Sequence, residues 1–500
     1  MRQLTSLDAQ FLAMESARMT GHVGGLAIYD PSTAPGGTLN ASDLCRVIGE
    51  RLHLLRPFRW RLVAVPFDLD HPYWVEDPDF DLDFHIRESA VPPPGTDRQL
   101  AETVARIFAR PLDRTRPLWE LYLIHGLPEG RVGMLTKIHH AAVDGVSGAE
   151  ILGLLLDPSP EGRDVPPPDG EHHGERVPGQ LEMLGRGALG IPRQQLRALR
   201  ALPTMGLNIA EFPGMAALPG MGAVGRVTGV ARRSLGAGDG GVLERPSTSV
   251  PRTVFNGRVS AHRRFVFGTV SLDRIKAIKN ALGITVNDVV VATCASAVRA
   301  WLLERDELPA EPLVAMIPVS VRTNEQSGTF GNRVSMMLAP IPTDEPDPRA
   351  RLLRAHEVLR SAKERHGALP AELLQDATQF IPPAIHARAS RAALRLGAAN
   401  AMRPVLNLVI SNVPGPRTPL FCAGAKLLAN YPVSVISDGA GLNMTCMSYR
   451  DGVDFGIVVD REQAGDAWPI LDAVRDALDE LDTAVCGSKR PARRASRSHA

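Results

Sequence analysis

The segment Lys137-Ile-His-His-Ala-Ala-Val-Asp-Gly-Val-Ser-Gly148 holds the residue types in this chain best suited to chemistry. His139 and His140 are adjacent, Asp144 follows the second imidazole by four residues, and Gly145 stands next to it. An imidazole with an ordinary pKa near 6.5 is largely neutral at cellular pH and suited to taking a proton from an alcohol. It could also bind a metal. However, H-H-x-x-x-D supplies neither an H-E-x-x-H pair nor cysteine partners, and no second His/Asp cluster completes it, so no metal is expected. No G-x-S-x-G elbow is present to make His140 the partner of a serine nucleophile. A satisfied structural histidine is the plain alternative.

The elements around this segment explain how it would be presented. Val132, Met134 and Ile138 alternate along a strand from Val132 to His139 that delivers both histidines to its end. Gly145 and Gly148 permit a tight exit, and Ser147 with Glu150 makes a capping box for a helix from Ala149 to Leu156. Upstream, helical spacing runs from Leu44 to Leu55 and from Gln99 to Arg110, and Trp119 to Ile124 reads as a strand. In the second half, Arg264 to Val270 alternates as a strand, and Ser271 caps a helix that stops at Gly283. A long helix from Thr285 to about Leu303 follows, then a β-branched run from Leu313 to Val321. Asp451-Gly452 between two apolar runs predicts a hairpin turn. Helices and strands alternating in both halves define an α/β protein.

Composition bounds the rest. Five hundred residues, 44% of them apolar, are too many for one core, so two domains are expected. A net charge of +1 excludes a nucleic-acid binder that works by bulk charge. Five scattered cysteines without a C-x-x-C pair give neither a disulfide framework nor a zinc site. Asp8 and Glu15 interrupt the region where a signal peptide would need its apolar core, and no apolar run reaches the ~18 residues of a spanning helix. The expectation is therefore a cytoplasmic protein. From Leu156 to Val250, 28 of 95 residues are Gly or Pro, which predicts a linker. Within it, Leu181 to Arg186 and Gln194 to Arg200 are basic and amphipathic, a pattern that can lie on the inner membrane or a lipid inclusion as well as on the protein's own surface. The resulting division is 1–155, a linker over 156–250, a second domain over 251–486, and a basic disordered tail over 487–500.

His139-His140-Ala-Ala-Val-Asp144-Gly145 resembles the H-H-x-x-x-D-G signature of the bacterial wax ester synthase/acyl-CoA:diacylglycerol acyltransferases, within the chloramphenicol acetyltransferase-like superfamily. Leu4 to Leu12, His22 to Gly25, Trp74 to His85 and Arg116 to Glu120 resemble the same family in order. So do Thr285 to Val289, Pro318 to Arg322, Gly331 to Arg333 and Ser411 to Pro416. One departure is Met19-Thr20-Gly21-His22-Val23, where the family commonly has a Pro-Met-His-Val-Gly type sequence. The resemblance implies two acyltransferase domains with mixed sheets and a tunnel at their interface.

It also implies a reaction. A long acyl group would pass from acyl-CoA, the co-substrate, to diacylglycerol, with long-chain alcohols as further acceptors and no other cofactor. His140 would be the general base, His139 its support, Asp144 a loop-holding ion-pair residue, and Gly145 the opening to the base. Asn287 and Asp288 would face the histidines across the interface. Read from the residues themselves, Thr285 with Asp288 fits a helix cap, which leaves Asn287 as the better substrate-orienting candidate. Trp119 would shape the acyl passage or simply pack the core. Three rival readings are an acyltransferase using carrier-protein thioesters, a non-catalytic lipid-binding protein, and a metal-dependent hydrolase.

Overall fold

The computed structural model describes residues 1–143, 148–168, 170, 174–189, 250–320, 334–367 and 404–487. In the first half, β1 (Arg2–Gln3) leads into α1 (Ser6–Met14), which starts where the Thr5 hydroxyl accepts the Asp8 N–H at 3.2 Å. After β2 (His22–Asp30) comes α2 (Ala41–Arg51), closed at its start by a reciprocal Asn40/Asp43 box. The chain continues through β3 (Trp60–Val63), β4 (Tyr73–Glu76), α3 (Leu82–His85) and β5 (Ile86–Ala90). Then come α4 (Asp97–Phe108), β6 (Trp119–His125), β7 (Val132–His139) and α5 (Gly148–Leu155).

The second half begins with β8 (Arg263–Ser271), α6 (Leu272–Leu282) and α7 (Val286–Leu303). Ser271 accepts the Arg274 N–H, and Gly283 ends α6 at φ 68°, as the sequence predicts. Next are β9 (Leu313–Ser320), β10 (Val334–Ile341), α8 (Pro348–Gly367), β11 (Leu408–Val413), β12 (Phe421–Cys422) and β13 (Ala425–Val433). The chain closes with β14 (Leu442–Tyr449), β15 (Gly452–Asp460), α9 (Arg461–Ala464) and α10 (Trp468–Cys486).

Two mixed six-stranded sheets organise these elements, in the orders β12-β13-β2-β7-β6-β5 and β10-β9-β11-β14-β15-β8. The strand carrying the histidines lies inside the first, paired with β2 on one side and β6 on the other. Apolar clusters cover both faces: Met134 and Ile138 pack with Trp119, while Leu135 packs with Leu100 and Val104 of α4. Only Thr136 of β7 is not buried, the pattern of a strand enclosed on both sides. A one-residue slip would turn every side chain to the wrong face, so the histidines leave the sheet from a fixed register.

The second sheet is covered by α6, α7, α8 and α10. By length and composition α7 could cross a membrane, but its side chains are buried from Asp288 to Val298 among those helices. It is a core helix.

Three features depart from the sequence expectation. First, residues 251–486 do not stay on one side: β12 and β13 join the edge of the first sheet, with Val433 opposite Gly24 and Lys426 opposite Asp30. Second, the start of the linker is built into the first half. The carboxylate of Asp157, 2% exposed, takes two bonds of 2.8 Å from Arg51, and Met183 is buried. Residues 190–249, including Gln194 to Arg200, and the basic tail beyond 487 lie outside the described residues. Third, the hairpin turn is Arg450-Asp451, because Tyr449 pairs with Gly452. Gly452 is a strand residue, and a Cβ there would stand 2.7 Å from Thr269 Cγ2.

Candidate active site

The antiparallel register of β2 and β7 places His22 opposite His139. The backbone N–H of His139 donates to Leu118 O at 2.9 Å, and that of His140 to Gly21 O at 2.8 Å. His140 then opens a 3-10 turn, His140–Val143. Its ring stacks on Phe11 from α1, with centroids 4.0 Å apart and planes at 16°. Nδ1 is buried without a hydrogen-bond partner on another residue, while the residue as a whole keeps accessible surface. Burial, reinforced by neighbouring His139, pushes its pKa down to about 4. At neutral pH the ring is therefore uncharged, the form a general base needs.

Beneath it, His139 is 1% exposed and held from two sides. Its Nδ1 accepts the Ala141 N–H at 3.1 Å, which puts the ring proton on Nε2. Nε2 lies 3.1 Å from Oε1 of Glu15. The same oxygen accepts the Gly21 N–H at 2.9 Å, and Oε2 accepts from Arg114 at 2.6 Å. Burial alone would raise the carboxyl's pKa; His139, Gly21 and Arg114 outweigh it and hold Glu15 well below the usual carboxylate range. His22, 3.7 Å from Glu15, is pushed down to about 3 by burial and by buried Lys137, so it stays neutral and leaves Glu15 to His139. Lys137 donates to Arg110 O at 2.6 Å, lies 3.6 Å from Glu120, and is lowered by burial to about 8.

The remaining candidates fall elsewhere. Trp119 is 1% exposed, stacks against His85 at 4.3 Å and Phe58 at 4.7 Å, and donates its indole N–H to Phe58 O at 2.7 Å. It is a core residue in this structure. Asp288 closes the capping box of α7: it accepts the Thr285 N–H at 2.9 Å, and its own N–H donates to Thr285 Oγ1 at 3.2 Å. It also contacts His356 Nδ1 at 2.8 Å. Asn287, half-buried beside it, accepts from Asn412 Nδ2 at 3.4 Å. Asp144, Gly145 and the Gly331 to Arg333 motif lie outside the described residues.

Sequence reading assigned no role to Glu15, Phe11, Gly21 or His22. The register of β2 on β7 brings His22 and Gly21 to the pair, while α1 supplies Phe11 and its C-terminal cap supplies Glu15. Local spacing carries none of this. Among the described residues no group of three or more His, Cys, Asp or Glu could hold a metal ion.

Two mixed six-stranded sheets, the first completed at its edge by β12 and β13 from the second half, with an adjacent histidine pair at the end of a central strand, make up a two-lobed α/β acyltransferase fold of the kind its family has. The chain belongs to the wax ester synthase/diacylglycerol acyltransferase family, matching its catalytic domain over residues 4–290 and its C-terminal domain over 330–482. A Mycobacterium tuberculosis protein named as a diacylglycerol O-acyltransferase is 35% identical over 497 residues, covering 96% of this chain and 100% of its own. The O-acyltransferase WSD of Acinetobacter baylyi is 32% identical, with 92% and 93% covered. Among solved structures, the wax ester synthase/diacylglycerol acyltransferase from Marinobacter aquaeolei VT8 matches with a TM-score of 0.64 at 29% identity, over 97% of this chain and 100% of that one. The first condensation domain of the CDA synthetase shares the fold alone, with a TM-score of 0.52 at 17% identity over 97% of each chain.

Proposed function

We propose that this acyltransferase moves a long acyl group from acyl-CoA to the free hydroxyl of diacylglycerol, giving triacylglycerol, and accepts long-chain alcohols as second acceptors. The supporting observation is His140: a neutral ring braced on Phe11, with Nδ1 buried and accessible surface remaining. Nε2 takes the acceptor's proton as its oxygen attacks the thioester carbonyl. The tetrahedral intermediate expels the CoA thiolate, which recovers the proton from the imidazolium. The products are an ester and free CoA, with no acyl-enzyme and no cofactor beyond the co-substrate. Positioning of the two substrates and of the base together supplies the rate. Asn287 orients the substrate or the developing oxyanion, and Gly145 keeps the approach to the base open.

The protein works in the cytoplasm at the surface of the inner membrane or of lipid inclusions. Supporting this, Phe67 is 71% exposed at a turn, and the helical stretch 180–189 packed against that turn exposes Leu181 at 85% and Leu189 at 74%.

Purified protein given palmitoyl-CoA with diacylglycerol or hexadecanol should release thiol and form the matching lipid, and His140→Gln should abolish both. A palmitoyl carrier-protein thioester replacing palmitoyl-CoA at equal rate would favour the carrier-dependent reading. Lipid retention without thiol release, in wild type and variant alike, would favour a binding protein.

A further inference from the structure

Residues 15–21, between α1 and β2, hold both groups that fix the histidine pair: the Glu15 carboxylate and the Gly21 carbonyl. This loop is a compact unit. Ser16 and Met19 exchange backbone hydrogen bonds of 2.8 and 3.2 Å, the Ser16 hydroxyl accepts the N–H groups of Arg18 and Met19, and Met19 is buried. Displacing its middle therefore displaces its ends.

The middle of the loop is tied to the second half of the chain from both directions. Arg18 Nη1 donates to Val259 O at 2.6 Å and lies 3.5 Å from Asp438. In return Arg263, the first residue of β8, donates Nη2 to Arg18 O at 2.6 Å and Nη1 to Ser260 O at 2.6 Å. The receiving surface is itself fixed. Asp438 accepts the Val259 N–H at 2.9 Å, and fully buried Asp460 accepts the Ser260 N–H at 2.6 Å and stands 3.7 Å from Arg263. The Arg263 side chain is only 7% exposed, so its guanidinium has little room to find other partners.

We infer that Arg18 and Arg263 form an inter-lobe clasp that positions the histidine pair through the Glu15–Gly21 loop, making them positioning residues for acyl transfer. The inference rests on the reading of His140 as the base. A staple serving stability alone would join rigid elements on both sides. This one joins β8 and its preceding loop to a short segment that ends on His139 and on the backbone of His140. Small errors in the placement of a base cost heavily in rate.

The test uses the full-length enzyme with palmitoyl-CoA and diacylglycerol. Arg263→Gln and Arg18→Ala should lower kcat on the order of 10–100-fold and leave both KM values within about twofold, because neither side chain is placed at the substrates. The acid limb of the pH profile should move up toward the ordinary histidine value as the ring environment loosens. Arg263→Lys, with one charged donor instead of a fork, should recover part of the rate. Selective 15N-histidine labelling should show His139 as a single Nε2–H tautomer in wild type and as a mixture in Arg263→Gln. Wild-type kcat, acid limb and tautomer in both variants, with only the thermal midpoint lowered, would overturn the clasp. His140→Gln separates the two claims: activity surviving in that variant sinks the base assignment, while the His139 spectrum still reports on the clasp.

Discussion

Nε2 of His139 and Oε1 of Glu15 lie 3.1 Å apart, and this contact joins the end of a central strand to the cap of the first helix. His139 thus has a backbone donor on Nδ1, which fixes its tautomer, and a carboxylate beside Nε2 at ion-pair distance without hydrogen-bond geometry. The adjacent His140 inherits that geometry through the 3-10 turn it opens.

Glu15→Gln keeps the shape but removes the charge that holds His139, so kcat should fall by about tenfold or more. The pH dependence of folding checks the charge itself. A carboxyl held below its ordinary value stabilises the fold above the usual carboxylate range, and that stability is lost as pH falls through it toward the depressed folded value. The thermal midpoints of wild type and Glu15→Gln should therefore differ at pH 7, and the gap should begin to narrow only as pH falls below about 4. A constant gap across pH would contradict this account.

Gly21→Ala tests the close approach beside the pair. A Cβ at this position would stand 2.9 Å from His139 Nε2 and 3.3 Å from Cε1, and the buried ring has no room to withdraw. The expected outcome is a stability loss of about 1–3 kcal/mol from overpacking. A larger loss of kcat than of affinity should accompany it in steady-state assays.

The acid limb of kcat/KM should lie near pH 4. Burial lowers His140 to about 4, so the ring protonates only below that point and activity should persist as pH falls from 8 to 5. A limb centred near 6.5, the value of an ordinary histidine, would show a ring open to water.

At the start of α7, cap and candidate contact should separate. Thr285→Ala removes the Asp288 N–H acceptor and should cost about 1 kcal/mol of stability with kcat little changed. Asn287→Ala should do the reverse, lowering kcat with a small change in thermal midpoint.

Asp454, buried where β15 meets β13, accepts from Thr269 Oγ1 at 2.6 Å and from the Asn430 N–H at 2.8 Å. Burial raises its pKa from 3.8 to about 6. A raised folded pKa favours the fold at low pH, and that contribution is lost as pH rises through about 6. Asp454→Asn keeps an acceptor oxygen without the charge, so its thermal midpoint should exceed that of wild type at pH 8 and approach it at pH 4.

Much of this architecture was readable locally. Ser271 and Gly283 bracket α6, Thr285 and Asp288 open α7, and Val132 to His139 is a strand ending on the histidines, because caps and alternation are short-range signals. Glu15 was hidden because its function is to meet a strand far along the chain, a relation that only the pairing of β2 with β7 creates. Trp119 illustrates the opposite limit. An aromatic residue near the motif suits a substrate passage as well as it suits a core, and only its 1% exposure and its bond to Phe58 decide. Gly452 looked like a turn residue, yet its glycine is needed for close packing against Thr269 within the sheet.

Because β12 and β13 complete the edge of the sheet that carries the histidines, the gene cannot be cut at the Gly/Pro-rich segment into two independently useful pieces. An N-terminal fragment made alone would expose the whole flank of β2 as an unpaired, sticky border. On the ribosome that border stays open until residue 433 has emerged, so this enzyme cannot own a finished platform for its histidines before β13 has been made.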